Sequence, residues 1–204
     1  MFESCRSLTD FGKYTGDYYY FTDIAEYSCD LGSLVKGMYM FNYCNSLENF
    51  DANLDSLKYA DGMFSRTKIK SFTNDMPALV IGNYMFDYCN NLSEFTSDLS
   101  SLERSDYMFS LCIGLNNFDV NLQSVKHANY MFYNCSNLTT FTSDLSSLVS
   151  GISMFDNCFS LTSFTSDLSS LLFGSFMFNR CALDDKSLMY IAHSINDVSN
   201  LTEE

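Results

Sequence analysis

The stretch Phe-Thr-Ser-Asp-Leu-Ser-Ser-Leu (FTSDLSSL) occurs three times in this chain, at residues 95–102, 141–148 and 164–171. The copies start 46 and 23 residues apart, and 46 is twice 23. An active site is seldom repeated along one chain, whereas structural units that stack on one another must resemble each other. The repeated stretch therefore indicates a stack of equivalent units, which we call rungs.

A Met-Phe pair marks each rung. From Met40 onward, successive pairs are 23, 22, 23, 23, 23 and 23 residues apart. A degenerate unit fits at Asp17-Tyr18, one step of 23 before Met40, and the unit at Met1 is short. We therefore predict about nine rungs in a single domain over residues 1–204. The pairs are Met1-Phe2, Met40-Phe41, Met63-Phe64, Met85-Phe86, Met108-Phe109, Met131-Phe132, Met154-Phe155 and Met177-Phe178.

Within a rung the sequence follows the pattern M-F-x-x-C-x-x-L-x-x-F-x-x-D/N-L-x-S-L. The Met63 rung has lost one residue and its cysteine, but it keeps the apolar positions one place early. A rung presents about seven apolar side chains, each worth roughly 1.5–3 kcal/mol when buried. Ordering its backbone costs about 1–2 kcal/mol per residue, so one rung alone is unstable. Stacked rungs share one core, and the array becomes stable where the unit is not.

The segment around residues 138–145 (LTTFTSDL) is predicted to be a short strand, because its side chains alternate between two environments. Phe141, Ser143 and Leu145 point inward, and Thr140, Thr142 and Asp144 point outward. The middle inward position is small or slim in every rung, which suits a narrow coil. Its occupants are Cys29, Ala52, Asn74, Ser97, Val120, Ser143 and Ser166.

The Met-Phe-x-x-Cys segment is predicted to form one helical or 3₁₀ turn on the opposite side of the rung. This interpretation places Met and Cys, four residues apart, on one face.

The motif MFYNCSNLTTFTSDLSSL at residues 131–148 resembles the BspA-type leucine-rich repeats of bacterial surface proteins, which also occur in phage and protist proteins. Phe132, Cys135, Leu138 and Phe141 occupy the positions that define that repeat. The sequence departs from it by carrying Phe where Ile is usual in the strand, and D-L-S-S-L where Ile-Pro is frequent. The resemblance implies a leucine-rich-repeat solenoid, which we expect to be right-handed because parallel crossovers have that hand. It also implies display on a cell surface or virion, adhesion or protein binding, and it offers no catalytic residues to transfer.

The two ends of the chain differ. Asp184 or Asp185 is predicted to cap a helix over roughly 185–196, whose apolar residues Leu188, Ile191, Ala192 and Ile195 cover the last rung. The sequence at Met1 starts inside a rung without a polar cap. Two interpretations stay open: the first rung belongs to a longer chain or is covered by a neighbour, or the short first unit is itself the cap.

Charge and composition exclude several classes of function. The net charge is −14 with only 11 Lys and Arg, which argues against nucleic-acid binding and against anionic membrane surfaces. No apolar run approaches the roughly 20 residues of a membrane helix, and no signal peptide is visible. The two histidines, His127 and His193, lie on non-equivalent segments, and no catalytic or phosphate-binding motif is present. We therefore expect neither an enzyme nor a cofactor site.

Seven of the eight cysteines occupy one position of the rung, and one Cys per rung does not converge on a metal. We predict that they are reduced thiols in the core. They are Cys5, Cys44, Cys89, Cys112, Cys135, Cys158 and Cys181.

An acidic or amide residue ends each predicted strand. The resulting row either binds a divalent cation or a basic ligand, or accepts backbone N–H groups in the turn that follows, which we favour because calcium needs six to eight oxygens around one centre. The row contains Asp30, Asn53, Asp75, Asp98, Asn121, Asp144 and Asp167.

The outward strand positions, together with that row, form a polar surface that we call the strand face, and solenoids commonly bind partners there. Its other residues are Glu26, Asn49, Ser71, Glu94, Asn117, Thr140 and Ser163, and Ser28, Asp51, Thr73, Thr96, Asp119, Thr142 and Thr165. A solvated surface without a partner is the alternative.

Tyrosines also recur, before the Met-Phe pair and near the cysteine. They either form a stacking strip for sugars or a partner protein, or pack rung on rung as a partly buried ladder, which we favour. They are Tyr39, Tyr84, Tyr107 and Tyr130, with Tyr43 and Tyr88 near the cysteine.

Two functions follow from these patterns. The first is a non-catalytic module that displays the strand face to a protein or glycan. The second is a structural subunit that assembles end to end through its N-terminal rung.

Overall fold

The computed structural model describes residues 24–195. Within this part of the chain, short strands follow one another at the interval of the rungs, and one helix comes last. The elements are β1 (Glu26–Ser28), β2 (Asn49–Asp51), β3 (Ser71–Phe72), β4 (Glu94–Phe95), β5 (Asn117–Phe118), β6 (Thr140–Phe141), β7 (Ser163–Phe164) and α1 (Asp185–Ser194). The unit predicted at Met1 and residues 17–23 of the unit predicted at Asp17 lie outside the described residues.

The strands form three sheets, β1-β2, β3-β4 and β5-β6-β7, and within each sheet they pair in parallel and in the register of the repeat. Tyr27 pairs with Phe50, Phe72 with Phe95, and Phe118 with Phe141, which in turn pairs with Phe164. The prediction of a solenoid with one short parallel strand per rung is confirmed. The right hand of the coil and the single domain stay predictions.

Each hydrogen-bonded strand is shorter than the alternating segment that predicted it. In the Met131 rung the strand ends at Phe141, although burial alternates as far as Leu145. The cause is the slim inward position: the N–H of Val120 donates to the hydroxyl of Ser143 at 3.1 Å, and Ser166 donates its hydroxyl proton to the carbonyl of Ser143. At Ser143, side-chain hydrogen bonds therefore replace the backbone ladder immediately beyond the strand.

A second side of the coil is joined by isolated parallel bridges, one for each pair of neighbouring rungs. Each bridge residue lies four residues before the Met of its Met-Phe pair. They run through Lys36, Tyr59, Ile81, Arg104, His127, Ser150 and Phe173.

The Met-Phe segment forms a third side, and the predicted helical or 3₁₀ turn is wrong. Tyr39 and Tyr43 have positive φ angles of 58° and 61°, which break any helix. The N–H groups of Met40 and Cys44 close β-turns within the rung, whereas those of Tyr39, Phe41 and Tyr43 donate to the next rung at 2.8–2.9 Å. Alternate backbone groups therefore link rung to rung, as in a strand.

The core contains two columns of aromatic rings. Rings of the Met-Phe positions stack at 5.3–5.6 Å, and rings of the strand positions stack at 5.4–6.0 Å. Between the columns, neighbouring rings meet at steep angles of 60–76°. Stacked and edge-on pairs are both favoured geometries, so the columns add to the burial energy. The first column holds Phe41, Phe64, Phe86, Phe109, Phe132, Phe155 and Phe178, and the second holds Tyr27, Phe50, Phe72, Phe95, Phe118, Phe141 and Phe164.

Helix α1 takes the place of a further strand at the end of the stack. The Asp184 carboxylate caps it by accepting from the N–H of Ser187 at 2.8 Å. Ser187 is 2% exposed, and its hydroxyl accepts the N–H of Phe164 at 2.9 Å, a bond that another rung would otherwise supply. The predicted buried face is partly wrong: Leu188 is 51% exposed and Ala192 is also exposed, because Ser187, Ile191 and Ile195 face the rung instead.

Candidate functional site

The strand face is accessible along the whole described coil. All of its side chains are exposed except Asp98, Thr140, Ser163 and Asp167, which are half-buried. Two of its residues are Glu and seven are Asp, whereas none is Lys or Arg. The face is therefore a strip of short polar side chains with strongly negative charge.

The acidic and amide row at the end of this face has a structural role. In six rungs the side-chain oxygen accepts the backbone N–H two residues later, at 2.8–3.0 Å. Asp75 differs because the residue two places later is Pro77, which has no N–H; it accepts the N–H of Asp98 instead, at 3.0 Å. The favoured interpretation, that the row accepts backbone N–H groups in turns, agrees with this geometry. Across residues 24–195, no three His, Cys, Asp or Glu side chains are grouped to hold a metal ion.

The cysteine column lies in the core, as predicted for Cys44, Cys89, Cys112, Cys135 and Cys158, and Cys181 is half-buried. From Cys89 onward, each thiol donates to the carbonyl of the Phe in the preceding rung, at 3.1–3.2 Å. Burial raises the pKa of the Cys44 thiol to about 12 and that of Cys89 to about 11. Cys5 lies outside the described residues.

The tyrosine side of the coil carries a ladder that is both packed and exposed. The ring of Tyr107 stacks on Tyr84 at 4.8 Å and on Tyr130 at 4.6 Å. This agrees with rung-on-rung packing, yet Tyr84 remains exposed and the other two are half-buried.

Beside these rings runs a polar ladder that the sequence reasoning missed. Its side-chain oxygens accept backbone N–H groups of the next rung at 2.8–3.0 Å. The signal was available: an Asp or Asn stands two residues before Met in four successive rungs, at Asp61, Asn83, Asp106 and Asn129.

The Met63 rung interrupts the tyrosine side. Gly62 stands where neighbouring rungs carry Tyr39 and Tyr84, and Arg66 stands between Tyr43 and Tyr88. The Arg66 guanidinium carbon lies 5.0 Å from the ring centre of Tyr43 and 4.1 Å from that of Tyr88.

The interruption leaves an open depression of about 570 Å³, which we call the tyrosine cleft. Sequence reasoning noted the shortened rung but did not predict a cavity there. The cleft is lined by Tyr39, Asn42, Tyr43, Gly62, Ser65, Arg66, Tyr84 and Asp87.

Two acceptors, one buried and one on a half-buried side chain, mark this cleft. The Asn42 Oδ1 is buried and has no hydrogen-bond partner among the described residues. Burial raises the pKa of the Asp87 carboxyl to about 6, against opposing effects of the Ser110 hydroxyl and the Arg66 charge. The cleft therefore combines aromatic walls, one cation and poorly solvated oxygens.

The histidines take no part in either surface. His127 lies on the bridged side of the coil and His193 lies on α1, where its Nδ1 is 2.6 Å from the carbonyl oxygen of Met189. None of the described helices is both long and apolar enough to cross a membrane.

The repeat family that comparison with known proteins finds agrees with the one short strand per rung described above. Six copies of the BspA type leucine-rich repeat region match, over residues 1–93 and 60–184. A crystal structure of a leucine-rich repeat protein from Bacteroides ovatus is 18% identical, with a TM-score of 0.33, over 78% of this chain and 65% of that one. The chain thus spans less than two thirds of that protein. A search of curated proteins finds no match. The chain belongs to the BspA-type leucine-rich repeat family, whose repeats are typical of protein-binding or adhesion-type modules and are generally non-catalytic.

Proposed function

We propose that this protein is a non-catalytic binding module, displayed on a cell surface or virion, that holds a basic protein partner on its strand face. The observation that carries the proposal is the composition of this face, which has nine carboxylates and no cation among its outward positions. Complementary charge mainly raises the association rate and the selectivity for a partner.

The construction of the face also supports this role. Backbone groups of its strands pair with one another within each sheet, so recognition falls mainly to side chains of fixed spacing. These side chains are short and stand on a rigid aromatic core, and little conformational entropy is lost when a partner covers them. A glycan is the alternative partner that the sequence leaves open for this face.

The test compares two variants with the same change in net charge. Asp51→Lys with Asp119→Lys reverses charge on the strand face, whereas Glu103→Lys with Asp185→Lys reverses it elsewhere on exposed positions. Binding to immobilised purified proteins of basic and acidic isoelectric point is measured by biolayer interferometry, and folding is checked by melting temperature.

We expect the wild type to bind selected basic proteins, and the strand-face variant to bind them about tenfold more weakly. The control variant keeps most of the affinity. Equal losses in the two variants would show that only net charge matters, and an absence of binding to every basic protein would also overturn the proposal.

One observation favours the assembly alternative. Leu172 and Phe173 are each 55% exposed at the last rung, and Phe176 is 42% exposed. Apolar side chains at the end of a stack fit another rung. Light scattering after size-exclusion chromatography tests this alternative. Open-ended oligomers that the Phe173→Ser substitution dissociates would support assembly. A monomer at every protein concentration would contradict it. The N-terminal rung, through which assembly was expected, lies outside the described residues.

A further inference from the structure

The tyrosine cleft is built into the repeat by one missing side chain. Complete rungs stack their tyrosines at 4.6–4.8 Å, but the Met63 rung has Gly62 at that place. Gly62 has a φ of 60°, and a Cβ there would lie 2.4 Å from the Cε1 of Tyr39. The Tyr39 ring therefore lies against the glycine backbone, and among residues 24–195 no side chain fills the space up to Tyr84.

The floor of the cleft is polar. Asn42, Ser65 and Asp87 occupy the second position after Met in three successive rungs, so they lie side by side. The partnerless Oδ1 of Asn42 is a buried acceptor that the described residues leave unsatisfied. Buried acceptors of this kind are rare in folded proteins, and a rotation of the amide would present the oxygen to a donor in the cleft.

The third component is a cation between two rings. The Arg66 guanidinium carbon lies 5.0 Å from the ring centre of Tyr43 and 4.1 Å from that of Tyr88, the equivalent residues of the two neighbouring rungs. A guanidinium carries five N–H donors, more than contact with the rings uses. The cleft thus offers aromatic walls, a cationic donor and polar oxygens within one rung and its neighbours.

This combination selects a class of ligand. An aromatic peptide side chain would cover the oxygens of Asn42 and Asp87 without giving them donors. A cation would meet Arg66, and an anion would meet Asp87 in a molecule of net charge −14. A pyranose ring presents apolar C–H faces to tyrosine and hydroxyl groups that both donate and accept.

We infer that the tyrosine cleft binds a neutral pyranose unit of a glycan, stacked on tyrosine and hydrogen-bonded to the floor. A second depression of about 390 Å³ shares Tyr84 and continues along the coil, between Tyr107, Tyr130 and the polar ladder at Asp106 and Asn129. The ligand is therefore an oligosaccharide that follows the coil axis. This site is separate from the strand face and does not depend on the proposed function.

The experiment uses maltotriose, cellotriose, chitotriose and N-acetyllactosamine as probes, with saturation-transfer NMR for binding and calorimetry for affinity. Tyr84→Ser removes a wall of the cleft, whereas Tyr59→Ser removes an exposed tyrosine on the bridged side. We expect Tyr84→Ser to weaken binding about tenfold or more, and Tyr59→Ser to leave it unchanged.

Tyr84→Phe tests the stacking itself, because it keeps the ring and the fold; its affinity should stay within about threefold of the wild type. Melting temperatures show that each variant is folded. The strand-face variant with lysines at 51 and 119 should bind the glycan normally, so failure of one site is distinguishable from failure of the other.

The inference is overturned if none of the neutral probes binds at millimolar concentration. Binding only to a sulfated control such as heparin, or equal loss in Tyr84→Ser and Tyr59→Ser, overturns it as well.

Discussion

Replacement of Phe118 by alanine makes a hole in the middle of the aromatic columns. The ring is 1% exposed. It stacks on Phe95 at 5.8 Å and on Phe141 at 6.0 Å, and it meets Phe109 and Phe132 edge-on at 5.1 and 4.7 Å. The substitution removes four ring contacts that join three successive rungs.

The expected loss follows from these contacts. A buried Phe→Ala change costs about 3–5 kcal/mol, and each aromatic pair adds about 0.5–1.5 kcal/mol beyond burial. Because the contacts are not independent, we expect the upper end, about 5 kcal/mol of the free energy of unfolding. Domains are commonly stable by only about 5–15 kcal/mol, so the loss is a large fraction of the total.

Phe178→Ala is the matched control. Phe178 is half-buried at the end of its column, and among the described aromatic residues its ring pairs with two others, Phe155 and Phe164, at 5.6 and 4.9 Å. We expect it to cost about 2–3 kcal/mol.

Urea unfolding, followed by far-ultraviolet circular dichroism and by tyrosine fluorescence, measures both variants. A central defect also weakens the coupling between the two halves of a repeat array, so the Phe118→Ala transition should broaden or split. Equal losses in the two variants, or a loss below about 2 kcal/mol at Phe118, would refute the idea that ring columns hold the rungs together.

Three further outcomes are expected. In a Cys5→Ser background, we expect the native protein to react quickly with a thiol reagent only at the half-buried Cys29, because burial raises the pKa of the column thiols. Fast labelling of several column cysteines would contradict this. Asp87→Asn should raise stability at pH 7 by about 1 kcal/mol, after discounting for partial exposure. Because the folded pKa is about 6 and the usual value 3.8, this carboxyl destabilises the fold progressively as pH rises from about 4 to about 6, so the gain should vanish near pH 4 in urea titrations. Ser187→Ala should cost about 1–3 kcal/mol by leaving the buried N–H of Phe164 without its acceptor, and an unchanged urea midpoint would contradict that role.

Features that depend on spacing alone were predictable. A residue repeated at the same place in each rung must lie in a column along the coil, so the ring columns, the buried thiols and the polar strand face follow from the 23-residue interval. The backbone role of the row at Asp144 was also predictable, since Asp and Asn accept nearby N–H groups in turns. The exception at Asp75 could also be predicted from the sequence, because Pro77 has no N–H group to donate.

Features that depend on how one rung meets the next could not be predicted from the sequence. The positive φ angles recur at tyrosines such as Tyr39 and Tyr43, residues that have no preference for this conformation. Hydrogen bonds to the next rung stabilise it, and propensity within the segment predicts a helix instead. For the same reason Ser187, rather than Leu188, faces β7: an unpaired strand edge requires an acceptor more than another apolar side chain.

The sequence by itself determined the rung, its apolar and polar positions and the family, because a periodic core needs only regular spacing of suitable side chains. Tertiary structure alone decided which backbone groups join the rungs and where a cavity opens. The tyrosine cleft shows the reason: Gly62 and Arg66 are unremarkable within their own segment. Their effect arises only when stacking places them against Tyr39, Tyr43 and Tyr84, about one rung away.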